Sequence, residues 1–591
     1  MSITSNFPAI KPTLLLDFAN TKQLDPRITF TRASTATYYG TQTAKAEENL
    51  LLQSQDFTTT WSNVASTDTA NTDTAPDGTT TADTITANAG TTLKGIQQNI
   101  TLSGTYTYSV FAKAGTHSII QLLFGGAGNA ASAYANFNIA AGSGAVGNTS
   151  GTSSIVDAGN GWYRCVFTGD FTGGTSVYVS FIDSTTAARA ASSTSTGTLI
   201  LWGAQLEQRS AVSSYTVTTT ATITNYIPQL LTAASGVARF DNNPTTFESL
   251  GLLSEESRTN LILQSEDLDT TWTETRATLS LNSVVAPNGA LTADRLIAST
   301  DNNTHFSSQT FTGTAASYTF TVYAKASGLN HVALRLFNGT SQVGLAYYNL
   351  STGATGTVTA GTAAITSVGN NYYRCSLTAT LAASASCTAD IQLANADNTN
   401  SFIGNAFDGV TLWGTQVELG AFATSYIPTV ASQVTRAADA ASMTGTNFSS
   451  WYNQAQGTMY AESATNNSAA VSSSAAALFA SASNYQRIRH VGALIDITAV
   501  SSGTTTVDTD GVAVTVGVFG KTVMGFRVND YAQYTNASSG GTDSSAVLPV
   551  GINVLNIGST DGSSNNLNGI IRKIAYYPLR VTNAQLQALT S

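Results

Sequence analysis

A long internal repeat limits the folds open to this chain of 591 residues more than any other feature. The segment Asn49-Leu-Leu-Leu-Gln-Ser-Gln-Asp56 returns as Asn260-Leu-Ile-Leu-Gln-Ser-Glu-Asp267. Three further landmarks return at a spacing of 210 to 212 residues: Tyr106-Thr-Tyr-Ser-Val-Phe-Ala-Lys113 as Tyr318-Thr-Phe-Thr-Val-Tyr-Ala-Lys325, Trp162-Tyr-Arg-Cys165 as Tyr372-Tyr-Arg-Cys375, and Leu201-Trp-Gly-Ala-Gln-Leu-Glu207 as Leu412-Trp-Gly-Thr-Gln-Val-Glu418. A repeat of this length is a whole domain rather than a solenoid unit. The chain therefore contains two copies of one domain.

The composition predicts an all-β fold. Charged residues make up 10% of the chain, against about 25% in an average protein. Thr, Val, Tyr and Phe occur in short alternating runs separated by Gly, Asn and Asp, which is typical of sandwiches with many short strands. We therefore expect several antiparallel β-sandwich (jelly-roll) domains in tandem, with little helix.

The charge pattern argues against several classes of partner. The formal net charge is −10, and Lys and Arg form no cluster, so neither nucleic acid nor an anionic membrane is expected as a partner. No apolar stretch approaches the roughly 18 residues of a membrane span. The first eight residues lack the basic and hydrophobic parts of a signal peptide, so a soluble product made without Sec export is expected.

The sequence carries no recognisable catalytic or metal motif. Cys165 and Cys375 hold the same place in the two copies, which predicts buried apolar residues rather than a disulfide, and Cys387 is read in the same way. The four histidines stand far apart and are expected in loops or on strand surfaces: His117, His305, His331 and His490. We therefore expect no enzyme activity and no cofactor.

Acidic side chains occur in short groups that could serve glycoside cleavage or Ca²⁺ binding. Glu255-Glu256 and the Asp508/Asp510 pair offer carboxylates of the kind that cleave glycosidic bonds, but their turn-like contexts predict solvated loop charge. Residues 508–511 and 561–566 offer oxygen ligands for Ca²⁺, yet neither has the spacing of a defined calcium loop. Turns are the preferred interpretation, so Ca²⁺ is open but unsupported.

Motifs outside the copies resemble a known class of proteins. Phe30-Thr-Arg-Ala-Ser34, then Arg239-Phe240, then Gly251-Leu-Leu with Arg258-Thr-Asn260 resemble a pattern found in tailed-bacteriophage virion proteins. The first copy separates the parts of this pattern. The resemblance therefore implies a discontinuous N-terminal module, made of residues 1–45 and 225–258, into which the first copy is inserted.

The copies and the C-terminal segment carry further resemblances. The turns Ala75-Pro-Asp-Gly78 and Ala286-Pro-Asn-Gly289, together with the repeated strands, resemble carbohydrate-binding-module-like jelly rolls of the galactose-binding type. Trp451-Tyr452 and the segment 568–578 resemble a concanavalin A/laminin-G-like lectin sandwich. The implied domains are the inserted jelly roll at 46–224, the second jelly roll at 259–430 and the lectin sandwich at 431–591.

Strand alternation divides the repeated strands into two faces. Residues two apart share a side, so Tyr106, Tyr108, Val110 and Ala112 are expected in the core, and Trp202, Ala204 and Leu206 likewise. The opposite side carries aromatic, cationic, amide and carboxylate groups, as a sugar site requires. These candidate carbohydrate-binding residues are Phe111, Lys113, Trp162, Arg164, Gln205 and Glu207 in the first copy, and Tyr323, Lys325, Tyr372, Arg374, Gln416 and Glu418 in the second. The alternative is that the charges pair on a sheet face covered by loops.

The resemblances imply a non-enzymatic bacteriophage fibre or spike on the virion surface, made in the host cytoplasm. Its expected partners are host-surface polysaccharide or other glycans and further virion proteins. A homo-oligomer, a trimer, is expected because several weak sugar sites gain avidity together. Two alternatives stay open: a head fibre or decoration protein with an architectural role, and a capsule polysaccharide depolymerase.

Overall fold

The chain is described by a computed structural model that covers residues 10–126, 133–146, 151–468 and 471–591. Nearly all of its regular structure is antiparallel β-sheet, which confirms the predicted all-β fold of tandem sandwiches. The described part contains three short helices, and none of them is long and apolar enough to cross a membrane.

The N-terminal segment contains three strands and one helical turn. In chain order these are β1 (Leu14–Asp17), α1 (Phe18–Thr21), β2 (Thr29–Thr31) and β3 (Ala36–Asn49).

The first copy is a sandwich of two six-stranded sheets. Its strands are β4 (Ser62–Val64), β5 (Ser66–Asp73), β6 (Ala82–Ala87), β7 (Gly95–Leu102), β8 (Thr105–Ala114), β9 (Ile119–Gly125), β10 (Tyr134–Asn138), β11 (Ser143–Val146), β12 (Thr152–Gly159), β13 (Trp162–Asp170), β14 (Gly174–Phe181) and β15 (Thr198–Glu207). One sheet, here the β8 sheet, has the order β12-β13-β8-β15-β6-β5, and the other, the β9 sheet, has the order β11-β10-β9-β14-β7-β4.

The second copy follows a connecting segment. That segment contains β16 (Ile223–Ala233), β17 (Arg239–Asn242) and β18 (Ser249–Ser254). The strands of the second copy are β19 (Arg258–Asn260), β20 (Thr273–Thr275), β21 (Ala277–Val284), β22 (Ala293–Ala298), β23 (Asn302–Thr304), β24 (Phe306–Gly313), β25 (Ser317–Ser327), β26 (His331–Phe337), β27 (Gln342–Asn349), β28 (Ala354–Ala360), β29 (Thr362–Gly369), β30 (Tyr372–Thr380), β31 (Ala385–Ala394), β32 (Ser401–Ile403) and β33 (Gly409–Leu419). Its two sheets repeat the first copy: the β25 sheet is β21-β22-β33-β25-β30-β29, and the β26 sheet is β20-β24-β31-β26-β27-β28.

The C-terminal segment supplies most of a third sandwich. Its elements are β34 (Val434–Arg436), β35 (Ala440–Thr444), α2 (Gly445–Ser449), β36 (Gln456–Thr465), β37 (Ser472–Ser481), β38 (Asn484–Val491), β39 (Leu494–Ser501), β40 (Thr504–Asp508), β41 (Val512–Ala513), β42 (Gly520–Arg527), β43 (Asp530–Thr535), β44 (Ser538–Asp543), β45 (Val554–Ile557), β46 (Gly569–Tyr577) and α3 (Asn583–Leu589).

The N-terminal segments complete this third sandwich, which corrects the predicted division into an N-terminal module and a separate domain at 431–591. Strand β1 pairs with β46, and β17 and β18 extend the same eight-stranded sheet. Strand β2 pairs with β35 in the facing eight-stranded sheet. The physical reason is the burial of apolar side chains, because Leu14, Leu16 and Phe18 lie in the same core as Met459 and Ile574.

Strands β3 and β16 pair with each other and form a two-stranded ribbon, called the ribbon below. Residues before 45 therefore do pair with residues after 225, across the whole inserted first copy. The ribbon leads from the third sandwich to the second copy, where its residues Ala46, Ile227 and Leu230 are buried against the β25 sheet.

The predicted core face of β8 is confirmed, but the prediction for β15 is wrong at one residue. Tyr106, Tyr108, Val110 and Ala112 are all in the core of the first copy. Trp202 instead lies on the outer face with Phe111 and Trp162, because the pairing shifts between Trp202 and Gln205. Gly203 takes the left-handed φ of +62° at this bulge, and the extra residue reverses the alternation. Gly414 does the same beside Trp413.

The cysteines behave as predicted, and two histidines do not. All three cysteines are buried, and no disulfide joins them. His305 and His490 are buried rather than on the surface. The ring nitrogens of His305 lie 2.6 and 3.0 Å from the carbonyl oxygens of Arg276 and Phe402. Burial lowers the pKa of His490 to about 4, so it is neutral at pH 7.

The shared third sandwich can be tested on adjacent residues of β1. Leu16 is 2% exposed and Leu15 is 53% exposed. Leu16→Ala should destabilise the third sandwich by about 2–5 kcal/mol, because it leaves a cavity in the core, whereas Leu15→Ala should change stability by less than about 0.5 kcal/mol. Urea unfolding, with hydrogen–deuterium exchange of residues 569–577 as the local readout, measures both. Equal effects of the two substitutions would contradict the shared core.

Candidate functional site

The structure brings the twelve predicted residues together as two equivalent faces. In the first copy Trp162 lies opposite Lys113, Arg164 opposite Phe111, and Gln205 and Glu207 continue the same side of the β8 sheet. In the second copy Arg374 lies opposite Tyr323, and Gln416 and Glu418 occupy the matching places on the β25 sheet. The prediction that these groups share one sheet face is confirmed.

The first-copy face holds a loop of its own domain. Glu207 accepts hydrogen bonds from the amide and hydroxyl of Ser213 at 2.8 and 2.7 Å, and Arg164 donates to the Ser213 carbonyl at 2.7 Å. The Gln205 amide donates to Glu207 at 3.0 Å. At the other end, Trp162 donates to the carbonyl of Thr74 at 3.0 Å. Loops on both sides are therefore fastened over this face.

The second-copy face is covered by its own loops and by the ribbon. Glu418 accepts from the amide and hydroxyl of Thr424 at 2.8 and 2.7 Å, as Glu207 does from Ser213. Lys325 forms an ion pair with Glu47 of the ribbon. Tyr372 donates to the Val285 carbonyl at 3.1 Å. Arg374 lies 5.5 Å from the centre of the Tyr323 ring, where the cation and the ring attract each other.

These contacts correct the predicted glycan face. Eight of the twelve side chains are buried: Phe111, Trp162, Gln205, Glu207, Tyr323, Tyr372, Gln416 and Glu418. The four cations, Lys113, Arg164, Lys325 and Arg374, are half-buried against the rings. No flat aromatic surface of this set is open to a sugar. The alternative, in which the charges pair beneath loops, describes the geometry.

The repeated sequence landmarks have the same structural purpose. Asn49 is fully buried, and its amide donates to the carbonyls of Ala204 and Thr216 at 2.9 and 2.8 Å. Asn260 makes the equivalent bonds to Thr415 and Ile427 at 3.1 and 2.9 Å. Each asparagine thus joins the first residues of its copy to the last strand and the loop after it. A buried amide with matched partners explains why this motif recurs.

A buried charge cluster is the main feature that sequence reasoning missed. It is called the arginine network below and consists of Arg32, Arg239, Arg436, Glu255 and Asp439, all with side chains no more than 4% exposed. Asp439 pairs with Arg32 at 3.0 Å and with Arg239 at 2.5 Å. Glu255 pairs with Arg239 at 2.8 Å and with Arg436 at 3.4 Å.

Glu255 is therefore not the solvated loop charge that its sequence context predicted. Burial alone would raise the pKa of its carboxyl, but Arg436 and Arg239 outweigh burial and lower the pKa to about 2. Ser425 adds hydrogen bonds from its amide and hydroxyl at 2.7 and 2.6 Å. A carboxylate held in this way is permanently charged and engaged, which suits a structural role.

Two other acidic candidates, Asp508 and Asp561, also lie in structural contacts. Asp508 pairs with Arg489 at 2.6 Å, and Asp561 accepts from the amides of Ser563 and Ser564 at 2.9 and 2.7 Å in a turn. Within the described ranges, no group of three or more His, Cys, Asp or Glu side chains could hold a metal ion.

An open cleft lies where the two copies meet. Its volume is about 460 Å³. Its lining is mostly small hydroxyl and aliphatic side chains: Thr152, Ser153, Ser154, Val166, Thr168, Ser210, Ala211, Val212, Asn282 and Leu291. Among the described residues that line the cleft there is no charged group or aromatic ring, so these residues offer little to orient a ligand.

Comparisons with known proteins identify no family. No protein-family model matches the chain, and no curated protein matches it. Solved structures that match include the CBM40 domain of a Ruminococcus gnavus IT-sialidase, at 14% identity over 24% of this chain and 84% of that chain with a TM-score of 0.21. Domain 4 of AbnA, a GH43 extracellular arabinanase from Geobacillus stearothermophilus in complex with arabinotriose, matches at 9% identity over 29% and 82%, with a TM-score of 0.23.

The LG1-3 region of the laminin alpha2 chain matches at 8% identity over 84% of this chain and 97% of that chain, with a TM-score of 0.19. TM-scores this low, at these identities, support no inference about ligand or activity. The functional argument therefore depends on the residues of this chain.

The covered faces predict a stability effect for Tyr372. Its ring is fully buried, so Tyr372→Ala should cost about 3–5 kcal/mol of folding free energy, as truncation of a core aromatic does. Tyr226→Ala is the matched control, because Tyr226 is 59% exposed on β16; it should cost less than about 0.5 kcal/mol. Chemical denaturation compares the two. A stable Tyr372→Ala variant would mean that the face is open after all.

A second prediction concerns Asp241, which lies between the arginine network and the ribbon. Burial raises the pKa of its carboxyl to about 7, although a hydrogen bond from the Tyr39 amide opposes the rise. The folded protein thus keeps a proton that the unfolded chain releases above about pH 4, so stability falls as pH rises from about 4 to 7.

Asp241→Asn keeps an acceptor for Tyr39 and removes this titration. The variant should gain stability relative to the unmodified protein as the pH is raised from about 5 to about 8. Urea unfolding of both proteins at the two pH values measures the difference. A stability difference that is the same at both pH values would rule out a raised pKa for Asp241.

Proposed function

We propose that the protein is a virion protein of a tailed bacteriophage, a fibre or spike subunit that binds host-surface carbohydrate without cleaving it. One observation carries the proposal. Two residues of the pattern shared with phage virion proteins, Arg32 and Arg239, belong to a single buried network although 207 positions separate them. These arginines of the pattern thus help to hold this fold together, and their common place in the structure supports the proposal.

A non-catalytic role is supported by the state of the acidic groups. Glu255 is neutralised by two arginines, and Asp508 is paired with Arg489. A glycosidase needs one carboxyl that can donate a proton and a second that is free to act as nucleophile or base. Neither of these candidate pairs meets that requirement.

An architectural head fibre or decoration subunit is the second candidate. It is favoured by the burial of eight of the twelve predicted residues, because the duplicated polar faces hold loops and the ribbon rather than presenting groups to solvent. In either role the chain is proposed to work as a trimer, where several weak sites act together, and mass photometry at micromolar concentration measures this directly.

One experiment separates the three roles. The full chain is incubated with purified surface polysaccharides from a panel of bacteria, and both retention of the polysaccharide and new reducing ends are measured. We expect retention without new reducing ends. New reducing ends would establish a depolymerase, and neither retention nor cleavage by any polysaccharide would favour the architectural role.

A further inference from the structure

The outer face of the β26 sheet carries a compact set of groups that the folding contacts above do not use. Strands β24, β31 and β26 are neighbours in this sheet, and the register aligns six residues in two rows. The first row is Ser308, Asp390 and Arg335, and the second is Thr310, Thr388 and Phe337. Their neighbours Leu334, Leu336, Ala389 and Ile391 are in the core, so alternation places the six on the outside. This set is called the Phe337 patch.

The patch combines an ion pair with an aromatic ring. Arg335 donates from Nε to Asp390 at 2.5 Å, and its guanidinium lies 5.3 Å from the centre of the Phe337 ring. The Arg335 side chain is 29% exposed, whereas that of Asp390 is 1% exposed. Phe337, Thr388 and Ser308 are half-buried, and Thr310 is exposed. A ring, a charged donor and hydroxyls therefore border one small area that solvent reaches, and the buried Asp390 carboxylate holds the donor in place.

The rest of the same sheet face is closed by a loop. Ala333, Leu345, Tyr347 and Ala394 form a buried cluster beside the patch. The loop after β31 is held in place there: Asp397 accepts from the Thr357 amide at 2.8 Å, and Asn400 donates to Gln392 at 2.6 Å. The loop thus covers this neighbouring part of the face, whereas the Phe337 patch stays accessible.

In the first copy an aromatic ring also lies over the corresponding point of the sheet, but a different strand supplies it. Strands β9 and β14 correspond to β26 and β31, and Gly125 stands opposite Ser176 just as Phe337 stands opposite Thr388. A Cβ added to Gly125 would lie 2.5 Å from Cε2 of Tyr178, so the Tyr178 ring occupies this place. Beside it, the Oε1 atom of Gln97 is buried without a hydrogen-bond partner among the described residues. Both copies therefore place an aromatic ring at the same point of this outer face, although different strands supply it. This indicates that the face needs a ring there in both copies.

We propose that the Phe337 patch is a binding site for a neutral pyranose unit of a polysaccharide. The apolar face of the sugar ring packs on Phe337, and a sugar hydroxyl accepts a hydrogen bond from Arg335, which the ion pair with the buried Asp390 holds beside the ring. The sugar is neutral because the Arg335 and Asp390 charges already cancel, and an acidic sugar would bring a carboxylate next to Asp390. This inference rests on the proposed carbohydrate-binding function and gives it a location.

The test uses isothermal titration of the full chain with cellotetraose, maltotetraose and galactotetraose as neutral probes and trigalacturonate as the acidic one. We expect at least one neutral probe to bind, and Phe337→Ala and Asp390→Asn each to weaken that binding at least about tenfold, the loss expected for one charged hydrogen bond or its packing partner. Tyr226→Ala removes an equally large exposed ring from the ribbon and should leave binding unchanged.

Thermal unfolding of each variant shows whether it is folded, and Asp390→Asn preserves the shape of the site if Phe337→Ala does not fold. Binding of a neutral probe that neither variant weakens would overturn the proposal, as would binding of trigalacturonate alone or of no probe. A variant that changes the oligomeric state instead would assign the patch to a protein contact. If all variants retain bacterial polysaccharide equally, this site is refuted and the proposed function stands. If the unmodified chain retains no polysaccharide, both are refuted.

Discussion

The arginine network is the interaction on which the rest of the structure depends. It joins Arg32 of the N-terminal segment, Arg239 and Glu255 of the connecting segment, and Arg436 and Asp439 at the start of the C-terminal sandwich. Removing five charges from water is costly, and the cost is offset only when every charge has close partners. Arg32 also donates to the carbonyls of Ala234 and Val237 at 2.8 and 2.9 Å and to that of Ser34 at 2.9 Å. Displacement of any one of these segments would leave buried charges without partners, so the cluster disfavours every other arrangement of them.

That requirement explains the topology around it. Leu14 pairs with Tyr576, so the third sandwich is complete only when the two ends of the chain meet. Both copies lie between those ends and fold on local contacts of their own, as their separate cores show. The entropy of closing a loop grows only slowly with its length, and a prefolded insert shortens the effective loop further. A large insertion is therefore compatible with a shared sandwich.

The two sheets of each copy differ in how closely their outer residues match between the copies. On the β8 and β25 sheets, Glu207 and Glu418 hold loops with the same bonds, and both copies keep the same charge types. On the β9 and β26 sheets the outer residues differ: Leu123 and Tyr178 stand where Arg335 and Asp390 stand in the second copy, while a ring stays at one place. Constant contacts suit folding, and altered polar groups around a constant ring suit recognition of different partners. The polar groups of the β8 and β25 faces are thus alike in the two copies, whereas those of the β9 and β26 faces differ.

The sequence by itself determined the fold class, the duplication and the composition of each strand face, because repeat spacing and alternation are local properties of the chain. Phe111, Arg164 and Glu207 share a face as alternation requires. Only the tertiary structure decided what covers these faces: the loop at Ser213 folds back onto Glu207 in the first copy, and Glu47 of the ribbon reaches Lys325 of the second copy from 278 positions away. The tertiary structure also decided on which face of the β8 sheet Trp202 lies. A bulge at Gly203 reverses the alternation there, and the sequence carries no signal for this bulge. The burial of Glu255 was equally hidden. Its turn-like context indicated solvent, whereas Arg239 reaches it from the neighbouring strand β17 and Arg436 from a segment 181 residues away.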